Sequence, residues 1–185
     1  MNDDAAGAAM VLTTERLILR PIGPGDRAAW IEADLENAGH WAPWAPALPP
    51  DLSPDERFER AMERTHAGLA RGDSYRFAAF ERSAGGEASP RIAGFCSLNN
   101  IVRGVFLNAD LGYMIARRHE GRGLAYELCA RVLDYAFGPE PTGLGLHRVQ
   151  ANVIPGNERS LRLAARLGMR REGLGGAMLK IAGRW

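Results

Sequence analysis

The chain has 185 residues, 46% hydrophobic and 24% charged, with 23 Lys plus Arg against 22 Asp plus Glu for a formal net charge of +1. That suits one domain with one good core, and the balanced charge gives no global attraction to nucleic acid. No apolar run is long enough to span a membrane, the first ten residues lack the basic start and hydrophobic stretch of a signal peptide, and Cys96 and Cys129 form no CxxC pair. The cysteines read as buried, reduced thiols of a cytoplasmic protein rather than a nucleophile or a metal site.

Residues 1–12 read as a disordered tail, and 13–185 as a single domain. A first strand is predicted over Arg16–Arg20. Asp26 is placed to cap a helix over RAAWIEADLENAG. The proline-rich HWAPWAPALPPDLSP excludes regular helix or inner strand. Ser53, Pro54, Asp55 and Glu56 then start a second helix that should run to about Ala70. YRFAAFERS and RIAGFCSLNNI read as strands joined by an AGGEASP hairpin, and NADLGYMIA as the next strand.

A Gly-x-Gly turn follows, EGRGLA, from Glu120 to Ala125. The helix after it places Leu124, Leu128, Cys129, Val132, Leu133 and Phe137 on one face. GPEPTGLG is a loop, HRVQANVIP a strand, and PGNERSLRLAARLG a helix with Asn157 at its start and Gly168 at its C-cap. MRREGLGGAMLKIAGRW begins one more strand or hairpin. The order β-α-α-β-β-β-α-β-α-β predicts an α/β fold with a mixed sheet. The middle strands are antiparallel, a parallel crossover comes late, and helices lie on both faces.

Glycines before a helix N-terminus let a phosphate approach free backbone N–H groups, and Arg117, Arg118 and Arg122 add charge there. A tight turn with solvated arginines fits the same residues. A Walker loop is excluded because GKS or GKT is absent. A dinucleotide fingerprint needs a third glycine where Tyr126 stands.

Three blocks make the pattern specific. EGRGLA resembles motif A of the GNAT superfamily, with Gly123 and Ala125 at its small positions, Gly121 as the common extra glycine, and Glu120 where Gln or Arg is usual. HRVQANVIPGNERSLRLAARLGMRREG, from His147 to Gly173, resembles the RimJ/RimL branch, with Met169 in place of the usual Phe. NNIVRGVFLNADLGYMI resembles the corresponding RimJ-type segment, including the N-x-x-R-G turn from Asn100 to Gly104. The likeness covers Thr13 to Trp185.

The resemblance implies an acetyl-CoA-dependent N-acetyltransferase acting by direct transfer in a ternary complex. The acceptor would be the N-terminal α-amine of a protein, such as a ribosomal protein, or else a small amine such as an antibiotic, polyamine or amino acid. It implies a coenzyme site formed by Met114, Ile115, Arg117, Arg118, Glu120, Gly121, Arg122, Gly123, Leu124, Ala125, Asn152, Asn157 and Ser160. The coenzyme arm would lie where LGYMI and VQANV splay apart. An amide of Met114 or Ile115 would polarise the thioester carbonyl.

For catalysis, Asp110 is the candidate base, unless it makes only a strand-end hydrogen bond or a water chain or helical carboxylate serves instead. The tyrosine many relatives carry falls on Ala164 here, so Ser160 is the candidate to assist the leaving thiolate, or else it satisfies local backbone. Trp41, Trp44, Asn100 and Arg103 are candidates for the acceptor side, although the tryptophans fit core positions equally. The family resemblance also leads one to expect a further strand, often beginning Asp-His, beyond Trp185, without which a sheet edge stays unpaired. No metal, direct nucleic-acid or membrane partner is expected, and the protein would be a monomer or homodimer. A non-catalytic acyl-CoA-binding or ribosome-associated module is the reading of another class.

Overall fold

The computed structural model describes residues 10–83, 85 and 88–185. The expected AGGEASP hairpin falls partly outside them, as does most of the expected tail. The domain begins before the expected residue 13, because Leu12–Thr13 forms β1 and Leu12 is buried.

Six strands make one sheet in the order β1 to β6. They are β1, β2 (Leu17–Arg20), β3 (Tyr75–Arg82), β4 (Ala88–Val102), β5 (Asn108–Ile115) and β6 (Arg148–Gln150). Every pair is antiparallel except β5 with β6, which is parallel. The helices are α1 (Arg27–Trp41), α2 (Pro54–Arg71), α3 (Leu124–Phe137) and α4 (Glu158–Arg166). Among the described residues no helix is long and apolar enough to cross a membrane.

Strand alternation divides the core in two. Phe77, Cys96, Leu98 and Leu111 pack with Leu124, Leu128, Cys129 and Val132 of α3. Ala78, Phe80 and Ile92 pack on the other face with Ala33 and Trp41 of α1 and Phe58 of α2. Phe137, expected on the buried stripe, is 48% exposed, and Ala136 takes the inward position at the end of α3.

The start of α2 forms as its sequence dictates. The Ser53 hydroxyl accepts from the Glu56 amide at 3.2 Å, and the Glu56 carboxylate accepts from the Ser53 amide at 2.8 Å. This reciprocal cap satisfies two free donors. Asp26 does not cap α1. Its carboxylate binds Arg20 at 2.6 and 2.7 Å and accepts from the Gly23 amide at 2.8 Å. A charged partner from the neighbouring strand outcompetes the local cap.

Two departures occur late in the chain. HRVQANVIP pairs only over Arg148–Gln150, then leaves β5. After α4 the described residues contain no strand of the sheet, only an isolated bridge between Ile181 and Arg184. The glycines in GLGG disfavour extended pairing there, and the segment instead returns to the α1–α2 connection, where the Ala182 amide donates to Ala45 O at 3.0 Å.

Candidate active site

The separation of β5 from β6 creates the site. Their parallel register ends at Asp110↔Gln150, while β5 continues to Ile115. The far edge of Leu111–Ile115 is therefore left without a strand. Backbone direction alternates along β5. The Ala116 amide donates to Ala93 O of β4 at 2.9 Å, so Met114, two residues back, also faces β4, and Ile115 faces the open edge. The Ile115 carbonyl agrees, since it accepts from Trp41 Nε1 at 2.9 Å rather than from β4. Of the two candidate amides, geometry therefore favours Ile115 over Met114.

Below the open edge the chain turns through Ala116–Gly123 into α3. Gly121 (φ 73°) and Gly123 (φ 78°) both adopt the left-handed region, which glycine enters without strain. A side chain built on Gly121 would meet nothing within 4 Å. Leu124 and Ala125 follow in the first turn of α3, whose amides lack intrahelical acceptors. This backbone suits a phosphate.

The side chains around this turn are mostly committed elsewhere. Arg118 pairs with Glu36 of α1 and donates from NH2 to Ile92 O at 3.2 Å. Arg122 pairs with Glu81 at 2.8 Å. Glu120 pairs with Arg159 of α4 and lies 3.3 Å from His40 Nε2. Arg117 is exposed and has no ion pair among the described residues. Arg118 and Arg122 thus brace the turn, and Arg117 is the arginine left to meet a phosphate.

Several bracing residues had no motif to announce them. Asn37, buried in α1, accepts from the Arg117 amide at 2.8 Å. His119 is 4% exposed, with Arg118 Nε 3.0 Å from Nε2 and Arg122 NH1 2.9 Å from Nδ1. Burial lowers its pKa, Glu81 opposes that, and Arg118 and Arg122 lower it further. Glu127 accepts from Thr14 Oγ1 at 2.5 Å, the Arg16 amide at 2.9 Å and Arg16 Nε at 2.7 Å. Burial pushes the Glu127 carboxyl up, but these hydrogen bonds outweigh it and hold the pKa below the ordinary value. A Glu one turn into α3 was the available signal for this anchor.

Across the gap, Asn157 caps α4, its Oδ1 accepting from the Ser160 amide at 3.1 Å. The Tyr113 hydroxyl donates to Ser160 O at 3.3 Å and so ties β5 to the start of α4. Burial raises the pKa of Tyr113. Asn152 is exposed in the segment that has left the sheet.

At the fork, Asp110 accepts from Asn100 Nδ2 and from Gln150 Nε2, each at 2.7 Å and on separate oxygens. Two neutral amides orient the carboxylate without neutralising it. Of the other acceptor-side candidates, Arg103 is spent on Leu144 O at 2.5 Å and Glu140 at 3.1 Å. It fastens the β4–β5 hairpin to the 138–146 loop. Trp41 is 9% exposed and stacks edge-on against Phe95 at 5.8 Å, which is the core reading of that residue. Trp44 is 43% exposed.

A mixed sheet opened between two parallel strands, with a glycine turn leading into a helix, defines an acyl-CoA-binding fold. The family model described as an acetyltransferase (GNAT) domain matches residues 16–170. The chain belongs to the GNAT acetyltransferase family. It is 31% identical over 176 residues, 94% of this chain and 85% of the relative, to the [ribosomal protein uS5]-alanine N-acetyltransferase of Escherichia coli (strain K12). The solved structure of Mycobacterium smegmatis RimJ in complex with CoA-disulfide superposes with a TM-score of 0.78 at 28% identity, covering 91% of this chain and 77% of that one. The spermidine N-acetyltransferase of Vibrio cholerae, in complex with CoA and spermine, gives a TM-score of 0.69 at 26% identity, covering 92% and 90%. The enzyme is thus an N-acetyltransferase that uses acetyl-CoA. The open β5 edge, the two left-handed glycines and the free amides of α3 fit that cofactor.

Proposed function

We propose that this chain acetylates the N-terminal α-amine of a protein, with the residues from β1 to Trp185 working as one catalytic domain. The observation that carries the reading is the fork itself. A carboxylate held by two amides, Asp110, stands where the open β5 edge begins. Likeness to the uS5-alanine enzyme along nearly the whole chain supports a protein acceptor, with a ribosomal protein as the first choice.

Acetyl-CoA, when bound, supplies the acetyl group activated as a thioester. The Ile115 amide is the donor for the acetyl carbonyl, and Arg117 with the amides of Gly121–Ala125 holds the phosphates. Asn152 and Asn157 border the arm. An α-amine has a pKa of about 8, so near neutral pH a modest base suffices. Asp110 orients the attacking amine and takes its proton. Ser160, in the first turn of α4, offers a hydroxyl for the departing sulfur.

The test is a paired acceptor screen with acetyl-CoA. Peptides with free N-termini are run beside polyamines, amino acids and aminoglycosides, and the acetylated product is identified by mass. Turnover of peptides above that of small amines is the expected result. Turnover of small amines alone would move the enzyme to that class. Coenzyme binding with no turnover on any acceptor would support a non-catalytic module.

A further inference from the structure

On the sheet face that carries α2, a cleft of about 530 Å³ lies between that helix and the strands. Arg76 and Asn99 line it, and each keeps a buried polar atom without a hydrogen-bond partner among the described residues. Arg76 presents Nε, a donor, and Asn99 presents Oδ1, an acceptor. The Asn99 amide nitrogen is already spent on Ser97 Oγ at 2.9 Å.

Arg76 makes no ion pair among the described residues. Asp73, the nearest acid to it in sequence, is engaged by Arg71 at 2.6 Å. Arg64 and Arg71 also line the cleft, which makes three arginines against the two acids Asp73 and Glu63. A guanidinium stays charged at all working pH values, and a buried Nε–H without an acceptor is unfavourable.

The cleft adjoins the fork. Asn99 is the direct cross-strand partner of Asp110, and Asn100, on the cleft wall, binds the Asp110 carboxylate. Gly112 stands opposite Ser97, and a side chain there would lie 3.1 Å from Ser97 Oγ and 3.4 Å from Asn99 Nδ2. Glycine at 112 therefore makes room for the Ser97 and Asn99 side chains between cleft and fork.

From these features we infer that the cleft is a subsite for an anionic group on the acceptor, an acidic side chain near the start of the peptide whose α-amine is acetylated. Arg76 binds the carboxylate through its planar fork, and Asn99 Oδ1 accepts from a peptide N–H. The inference rests on the proposed peptide acceptor. Arg76 pairs with Ser97, which pairs with Gly112, so its strand lies two strands from β5, about 10 Å at ordinary sheet spacing. Two extended residues cover about 7 Å, and a short acidic side chain covers the rest, which puts the acid at or next to the third residue. The same wall is unfavourable to a polyamine, whose charges would face Arg64 and Arg76.

The experiment compares peptides that differ only by Glu or Gln at the second, third or fourth residue. Each begins with Ala, ends in an amide and contains no other acid. Their kcat/KM is measured at saturating acetyl-CoA for the wild-type chain, Arg76→Gln and Arg76→Lys. A matched small pair, an amine with a terminal carboxylate and its amide, is run alongside. Titration with acetyl-CoA shows that each variant is folded.

The wild type should favour Glu over Gln by about tenfold or more at the third position or a neighbouring one. The ratio should fall to about one in Arg76→Gln, and Arg76→Lys should recover only part of it. Equal rates for Glu and Gln peptides at every position, or a ratio unchanged by Arg76→Gln, would overturn the subsite. If only the small pair is turned over, the peptide reading falls. The carboxylate-to-amide ratio of that pair then decides the subsite alone. If no acceptor is turned over, titration of the CoA-saturated chain with the Glu and Gln peptides replaces the rates, and equal binding overturns the subsite.

Discussion

At the residue scale, chemistry is concentrated in a few groups whose surroundings fix their geometry. Asp110 receives one amide on each oxygen, so Asp110→Asn keeps the size of the side chain, loses one of these hydrogen bonds and removes the charge proposed to accept the amine's proton. We expect kcat/KM to fall by about 100-fold or more with acetyl-CoA affinity within a factor of about two. Steady-state rates paired with calorimetry check this, and an unchanged kcat would remove Asp110 from the reaction. Gly123 carries a left-handed φ of 78° next to the free amides of α3. Gly123→Trp strains the turn and crowds the proposed phosphate position, and it should weaken acetyl-CoA binding by more than about tenfold, or 1.4 kcal/mol. Binding at wild-type strength in that variant would mean the coenzyme lies elsewhere.

At the element scale, the position of α3 matters most, because its first turn is part of the proposed coenzyme site. Glu127 anchors that turn to the β1–β2 connection through Thr14 and Arg16. Glu127→Gln removes a charge-assisted pair and should destabilise the fold by about 2 kcal/mol. Chemical denaturation would show the loss, and a change below about 0.5 kcal/mol would mean that the anchor is dispensable. In α2, Ser53→Ala breaks the reciprocal cap with Glu56 and should cost about 1 kcal/mol without touching activity. The pattern S-P-D-E made that cap legible in the sequence. Of the Glu127 anchor, only the acid one turn into α3 was legible; its partners Thr14 and Arg16 were not, because they lie more than a hundred positions away.

At the scale of the whole molecule, acid should act in two stages. The unfolded chain takes up a proton at His119 near pH 6.5, while the folded chain, where burial disfavours the charged ring, resists until lower pH. Protons therefore favour unfolding there, and stability should decline as pH drops below about 6.5. Glu127 behaves in the later stage. Its folded carboxyl has a depressed pKa, so its contribution is complete above the ordinary Glu value of about 4.3 and is lost as pH falls through the folded value. Thermal melts from pH 8 downward would display both limbs, and His119→Gln should flatten the first. A melting temperature independent of pH between 8 and 5 would contradict the role given to His119.

What the sequence determined by itself were the properties that short segments carry. The α2 cap, the glycine turn before α3, the order of elements from β2 to α4, and the cap of α4 by Asn157 all follow from neighbours a few positions apart. Local sterics and hydrogen bonds decide such features whatever the rest of the chain does. Tertiary structure decided which charges are free. Arg118, Arg122 and Arg103 looked available but are engaged by Glu36, Glu81 and Glu140, while Arg76, never singled out, has its Nε buried without a partner among the described residues. It also decided where HRVQANVIP leaves β5, since a strand's extent depends on the partner beside it. A charge or a strand edge is committed or open only relative to groups distant in sequence, and folding alone brings those together.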